Sequence, residues 1–303
     1  MISMLLIILF LFTSFQPADK DPFIVVLGIA QDAGYPQIGC DKDCCKKYRD
    51  KKTTKQKVSC LALFDPATNQ KWIFDATPDL TEQLHLANKF QSGSLSGIFL
   101  THAHIGHYTG LMYLGREALD AKETAAYAMP RMYDYLKTNG PWSQLVSLKS
   151  IELKKLKADS VIKLTGKISV VPLLVPHRDE FSETVGYTIK TGSKSVLFIP
   201  DIDKWQKWNK DIKQMVQQYD YLFLDGTFYK DGELPGRNMS EVPHPFVQES
   251  VELFKDLSPA EKRKIWFIHF NHTNPLIDNS SKEYKEVKSK GFNVAIEGLK
   301  ISL

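Results

Sequence analysis

From Asp21 onward the chain is a succession of short apolar runs bounded by turn residues. DPFIVVLGIA (Asp21–Ala30), SCLALFD (Ser59–Asp65), KWIFDA (Lys71–Ala76) and SGIFLTHAH (Ser96–His104) form a first series. KISVVPLLVPH (Lys167–His177), VGYTIKT (Val185–Thr191), SVLFIPD (Ser195–Asp201), YDYLFLDG (Tyr219–Gly226) and KIWFIHF (Lys264–Phe270) form a second. Runs of this length, rich in β-branched and aromatic residues, predict strands. LTEQLHLANKF (Leu80–Phe90) and GLMYLGREAL (Gly110–Leu119) have helical spacing, and further helices are predicted over Asp203–Gln218, His244–Lys255 and Ser281–Lys290. Strands and helices alternate in both halves with no linker, repeat or low-complexity tract between them. That order predicts sheets covered by helices in one α/β (α+β) domain spanning residues 21–303. Ala121–Gly166, between the halves, reads as an insertion that forms helices and one wall of a cleft. Its Tyr127, Tyr133, Tyr135 and Trp142 read as packing residues rather than a stacking platform for a ligand ring.

The stretch before Asp21 follows a different pattern. Met1–Phe15 is apolar and carries no charge. It falls short of the roughly 20 apolar residues a membrane-spanning helix needs. Residues 1–20 therefore read as a signal peptide, the mature chain starting between Phe15 and Asp21, or as an uncleaved N-terminal anchor. The expectation is an exported protein of the periplasm or cell envelope, with no stable membrane span in the mature chain.

Composition narrows the picture modestly. The 303 residues are 43% hydrophobic and 24% charged, as in an ordinary globular protein, with a net charge of +4. The lysines are scattered and form no basic stripe, which argues against a nucleic-acid partner and leaves a small-molecule substrate as the expected one. Oligomeric state is not legible. Four cysteines in a chain this long do not make a disulfide scaffold.

Histidine placement carries the chemistry. Of eight histidines, three fall in THAHIGHYTG (Thr101–Gly110): His102, His104 and His107, directly after a predicted strand. His102 and His104, two apart on an extended segment, lie on one face and can reach one ion, and His107 points to a neighbouring position. Neutral imidazole is the commonest zinc donor, and three donors plus water make an open catalytic site. Three other predicted strands each end in a metal-type side chain: LLVPH in His177, LFIPD in Asp201 and IWFIH in His269.

This ordered series resembles the metallo-β-lactamase superfamily, whose pattern is His-x-His-x-Asp-His, then His, Asp and His. Within it, LGIAQDAGYPQIGC (Leu27–Cys40), FDATPDLTEQL (Phe74–Leu84), LDGTFY (Leu224–Tyr229) and HFNHTNP (His269–Pro275) are similar to pyrroloquinoline quinone (PQQ) biosynthesis protein B and, less extensively, to the phosphonate-pathway cyclic phosphodiesterase. The resemblance implies a four-layer αββα sandwich with metals at one edge between the sheets. It implies a first metal on His102, His104 and His177, and a second on His107 and His269, with Asp201 bridging. Asp201 and His269 are the residues expected to act in catalysis as well as in binding. Zinc is the implied ion, with iron or manganese as alternatives. Gly106 departs from the pattern, standing where the family has aspartate, so the second metal is expected to be the weaker. Asp203 is then a candidate, beside Asp201, for orienting the attacking water.

The resemblance also implies a structural zinc on Cys40, Cys44, Cys45 and His272, in GCDKDCC and HFNH. A disulfide or free thiols are the other readings of these cysteines. Cys60 reads as core. Asp75 is expected to hydrogen-bond a ligand loop and Asp79 to cap the helix at Leu80. Asp225 is expected either to orient ligand histidines or to end its strand. His244 reads as a surface residue, with a place facing the substrate cleft as the alternative, and His85 reads as structural.

Hydrolysis of an ester, amide or phosphodiester bond is the expected activity, because zinc lowers the pKa of its water to roughly 7. The alternatives are a PQQ protein B-like role in making or moving a quinone cofactor, or a non-catalytic metal or ligand carrier.

Overall fold

The computed structural model describes residues 21–303, so the leader expectation at residues 1–20 lies outside the described residues. The chain runs through β1 (Phe23–Gly28), β2 (Cys60–Asp65), β3 (Gln70–Phe74), β4 (Leu95–Phe99), β5 (Thr124–Ala128) and β6 (Ile151–Lys155). A second series follows: β7 (Ile162–Lys163), β8 (Ser169–Leu174), β9 (Val185–Lys190), β10 (Ser195–Ile199), β11 (Tyr221–Asp225), β12 (Ile265–Ile268) and β13 (Asn293–Val294). β14 (Lys300–Ser302) returns to the first sheet. Among the described residues these strands make two seven-stranded sheets, ordered β14-β1-β2-β3-β4-β5-β6 and β13-β12-β11-β10-β9-β8-β7.

The strand runs are apolar throughout because both faces of the sheets are covered. Ile24, Val26, Leu61, Leu63, Trp72 and Phe74 face the second sheet in one core. The alternate positions Val25, Leu27, Ala62, Phe64 and Ile73 pack on helices with Leu80, Ala87 and Leu111 in another. Phe74 meets Tyr187 and Phe198 of the opposite sheet at centroid distances of 5.4 and 6.1 Å. Cys60 is buried in the helix-facing core, as its apolar neighbours predict. The result is the expected αββα sandwich.

The two sheets mirror one another. β3, β4, β5 and β6 run parallel on one side; β10, β11, β12 and β13 run parallel on the other. Parallel strands carry their C-terminal ends to a common edge. The residues after β3, β4, β10, β11 and β12 therefore converge, and β8, two antiparallel steps from β10, delivers its end to the same side.

Several predicted elements differ in extent. The helix Leu80–Phe90 forms as predicted, but the Asp79 carboxylate does not cap it. Asp79 instead accepts from the Val58 amide at 2.9 Å and pairs with Lys55, tying down the preceding loop. Gly110–Leu119 forms only a 3-10 turn over Thr109–Leu114. Asp203–Gln218 breaks into a 3-10 turn, Trp205–Lys207, and a helix, Ile212–Gln218, capped by Asp211. Trp205 and Trp208 are the reason: both are buried, and their indole N–H groups donate to Ser250 Oγ at 2.9 Å and to the Leu174 carbonyl at 2.8 Å. The helix placed at His244–Lys255 starts only at Val247, after an extended N-cap residue, Phe246.

The insertion Ala121–Gly166 forms strands as well as the predicted helices. It supplies β5, β6 and β7, extending both sheets, with short helices Pro130–Thr138 and Trp142–Ser147 between them. Packing overrides the weak strand propensity of Thr124–Ala128. Its aromatics do pack: Tyr127 stacks on Phe99 at 4.3 Å, and Trp142 lies 4.8 Å from Tyr108. No helix among the described residues is long and apolar enough to cross a membrane.

Candidate metal centre

Two donor sets meet at the shared strand edge. His102, His104, His177 and Asp201 each present a ligand atom within 4.8 Å of the others. Asp32, His107, Asp201 and His269 form a second set on the same criterion, so Asp201 belongs to both. Asp201 Oδ1 lies 3.3 Å from His177 Nε2, and Oδ2 lies 3.4 Å from His102 Nε2, 3.7 Å from His107 Nε2 and 3.8 Å from His269 Nε2. Asp32 Oδ1 lies 3.1 Å from His107 Nε2 and 3.6 Å from His269 Nε2. His104 Nε2 reaches the half-exposed Glu180 at 3.2 Å, and its Nδ1 lies 2.8 Å from His102 Nε2.

Two buried carboxylates aim the imidazoles, and they do so in the same way. Asp75, just past β3, accepts from the Thr101 amide at 2.8 Å and from its hydroxyl at 2.9 Å. The Thr101 hydroxyl in turn lies 3.0 Å from His102 Nδ1, and Asp75 takes His107 Nδ1 directly at 2.7 Å. Asp225, at the end of β11, accepts the Thr227 hydroxyl at 2.7 Å, which lies 2.9 Å from His269 Nδ1. Asp225 takes His244 Nδ1 directly at 2.9 Å. Engaging Nδ1 leaves Nε2 of each ring for a ligand, the arrangement that fixes tautomer and orientation in metal-binding histidines. Asp225 thus both ends its strand and orients histidines.

The backbone is strained where this happens. Asp75 and His269 adopt φ of +72° and +68°, a region that costs a residue with a Cβ about 1–3 kcal/mol and persists only where surrounding structure imposes it.

Electrostatics keep His102 and His177 neutral and Asp32 and Asp201 ionised, the forms that bind a metal. Burial pushes His102 well down, with the neighbouring His107 adding to it, and burial pushes His177 down to about 4. Burial alone would raise the carboxyls of Asp32 and Asp201. His107 and His269 outweigh it at Asp32, and His177, His244 and His269 at Asp201, so both are held well below the usual carboxylate range. Burial opposes charge on His107 and His244 too, but Asp75 with Asp32, and Asp225 with Asp201, raise them.

The residues fit a divalent cation. Both ring nitrogens of His177, Asp201 Oδ1 and His269 Nε2 are buried without a hydrogen-bond partner. Buried polar atoms left this way are costly unless something else satisfies them, and mixed imidazole and carboxylate donors suit zinc.

Comparison with known proteins agrees. The model of a beta-lactamase superfamily domain matches residues 71–270. The chain belongs to that superfamily. It is 26% identical to Coenzyme PQQ synthesis protein B of Methylococcus capsulatus over 92% of this chain and 99% of that protein. A Zn2+-bound PqqB from Methylobacterium extorquens superposes with a TM-score of 0.78 at 22% identity, covering 93% of this chain and all of that one. A diphosphatase of the PhnP family superposes with a TM-score of 0.66 at 22% identity, covering 93% of this chain and 97% of that one.

Against this superfamily fold, the structure brings together His102, His104, His107, His177, Asp201 and His269 as the sequence suggests. Asp32 joins them unannounced, because QDAGYP contains no recurring spacing to mark it. His244 is also recovered from a surface reading: it is buried beside Asp225, and Nδ1 lies 3.2 Å from Asp201 Oδ1. Asp203 is not in the site; its carboxylate pairs with Lys207 at 2.7 Å. His85 is exposed on its helix.

The cysteine loop forms a separate cluster. The sulfurs of Cys40, Cys44 and Cys45 converge within 4.8 Å, and the thiols are free in this structure. Burial would raise the Cys40 thiol, but a backbone hydrogen bond from Lys42 and bonds with the neighbouring thiols bring it down. Burial, with Cys40 alongside, pushes Cys44 up to about 12. His272 does not join the cluster at that distance; its Nδ1 is buried without a hydrogen-bond partner, in a cavity it shares with Tyr35 and Cys44.

Proposed function

We propose that this protein is a zinc-dependent hydrolase of an ester, amide or phosphodiester bond. The observation that carries the reading is the pair of donor sets joined by Asp201, with buried ligand atoms that nothing else satisfies. His102, His104, His177 and Asp201 would hold one ion, and Asp32, His107, Asp201 and His269 a second. Bound there, divalent cations would supply Lewis acidity and a water of lowered pKa. The chain's own residues do the rest. Asp201, with Oδ1 toward His177 and Oδ2 toward His102, His107 and His269, would be shared by the two ions and could accept the proton of an attacking water. His244, clamped through Nδ1 by Asp225, is positioned to give a proton to the leaving group. Cys40, Cys44 and Cys45, with a further donor such as His272 from the neighbouring cavity, would hold a structural zinc.

A second reading has specific support. His107, His269 and Asp32 make a two-histidine, one-carboxylate set, a donor pattern typical of non-haem iron. The likeness to PQQ synthesis protein B runs over nearly the whole chain. One experiment separates the two. Purified protein is assayed for bound metal and for turnover of p-nitrophenyl esters and bis(p-nitrophenyl) phosphate, then reloaded with iron and tested for oxygen uptake. Zinc with hydrolysis supports the hydrolase; iron-dependent oxygen uptake without hydrolysis overturns it.

A further inference from the structure

Gly106 poses a question that backbone conformation does not answer. It lies inside the short helix Ile105–Tyr108 and is not one of the glycines with positive φ. What it lacks is room. A Cβ at Gly106 would sit 2.4 Å from Asp32 Cα, 2.6 Å from Asp32 Oδ1 and 2.8 Å from Asp32 Cβ. Those contacts involve the backbone and the first side-chain carbon of Asp32, so no rotamer change relieves them. Any side chain at 106 and the present course of the loop through Asp32 exclude one another.

We propose that Asp32 is the second-site carboxylate of this protein, moved out of the histidine motif onto the loop after β1. Gly106 and Asp32 are then the two halves of one exchange. The proposal deepens the two-ion reading above and rests on it. Asp32 Oδ1 faces both imidazoles of the second set, His107 Nε2 at 3.1 Å and His269 Nε2 at 3.6 Å, the place a carboxylate from position 106 would also have to reach. The loop is anchored to carry it there. The Gln31 amide donates to the Phe270 carbonyl at 2.8 Å, the Asn271 side chain donates to Gln31 Oε1 at 2.5 Å, and Ala30 bridges to Phe270. The residue beside Asp32 is thereby fastened to the two residues following His269, so carboxylate and imidazole move as one unit. Asp32 also differs from its partners in access. Its side chain is 21% exposed, against 0% for His107 and His269 and 2% for Asp201, making it the donor through which the second ion would meet solvent.

The exchange is tested in the full-length protein by zinc stoichiometry and calorimetric affinity, with thermal midpoints recorded alongside. Asp32→Asn, which keeps shape and removes charge, and Asp32→Ala should each weaken the second zinc by at least ~10-fold, the lower end of what even indirect support of a ligand costs. Gly106→Asp alone should lower the thermal midpoint, because the clash is with backbone. Asp32→Gly combined with Gly106→Asp should recover both the midpoint and the second zinc, far beyond the sum of the single effects. In metal-free protein, Gly106→Ala should be destabilised and rescued by Asp32→Gly, a readout independent of any ion. Wild-type second-site affinity in Asp32→Asn overturns the exchange even in a working hydrolase. Loss of that zinc in Asp32→Asn supports it even in a chain that hydrolyses nothing. A double variant no better than the worse single overturns it.

Discussion

The first-sheet and second-sheet halves of the metal edge solve the same problem with the same parts. Each uses one buried aspartate at a strand end, Asp75 or Asp225, to hold one histidine through a threonine hydroxyl and another directly. The difference lies in where the histidines come from. Asp75 serves His102 and His107, five residues apart on one strand-to-helix corner, and each goes to a different donor set. Asp225 serves His244 and His269, which arrive from separate segments, and only His269 joins a four-donor set with His107. The first half therefore supports both sets at once. The second half supports one set and keeps a histidine in reserve beside Asp201.

That asymmetry predicts a ranking. The largest effect should come from a ligand itself: His102→Ala should lower first-site zinc and turnover together by more than ~100-fold, since merely supporting a ligand is worth ~10–100-fold. A fully metallated, fully active His102→Ala protein would remove the central assignment. Asp75→Asn comes next, expected to weaken both sites, with calorimetry resolving two reduced affinities. Asp225→Asn should spare the first site and weaken only the second, while slowing kcat through misplacement of His244. Equal losses at both sites in the two variants would show that the halves are not divided as described.

The cysteine loop should behave differently again. Cys40→Ser should lower the thermal midpoint and leave turnover per catalytic zinc little changed, because a closed site contributes folding free energy rather than chemistry. A variant that keeps its stability but loses activity contradicts that division.

The smallest effect concerns pH in the metal-free protein. Burial holds His177 at about 4, below the ~6.5 of an unfolded chain. Between those values the unfolded state binds the extra proton and the folded state does not, so this residue's contribution makes stability fall as pH drops from ~6.5 to about 4. Urea midpoints should trace that slope in wild type and a flatter one in His177→Asn.

Much of this was legible before any fold was known. The runs ending in His177, Asp201 and His269, and the spacing of His102 and His104, are local patterns: an apolar run names a strand, and the residue after it sits at the sheet edge. Parallel pairing then turns several strand ends into one site. His244 and Asp203 were misjudged because a side chain's direction at the end of a loop depends on what packs against it. Asp225 holds the His244 ring inward at one, and buried Trp205 with Trp208 break the predicted helix just beyond the other.

The sequence by itself determined the alternation of strands and helices and six of the donors, because apolar runs and strand-end placement are short-range properties written in neighbouring residues, while the sandwich and its shared edge came with the family resemblance. Only the tertiary structure decided the seventh. Asp32 lies 74 residues before Gly106, and nothing in either segment refers to the other. Their relation exists as an excluded volume between a loop backbone and a helix, a 2.4 Å approach that no local spacing encodes. A missing carboxylate in a motif was visible in the sequence; its replacement could be found only where the two segments meet in space.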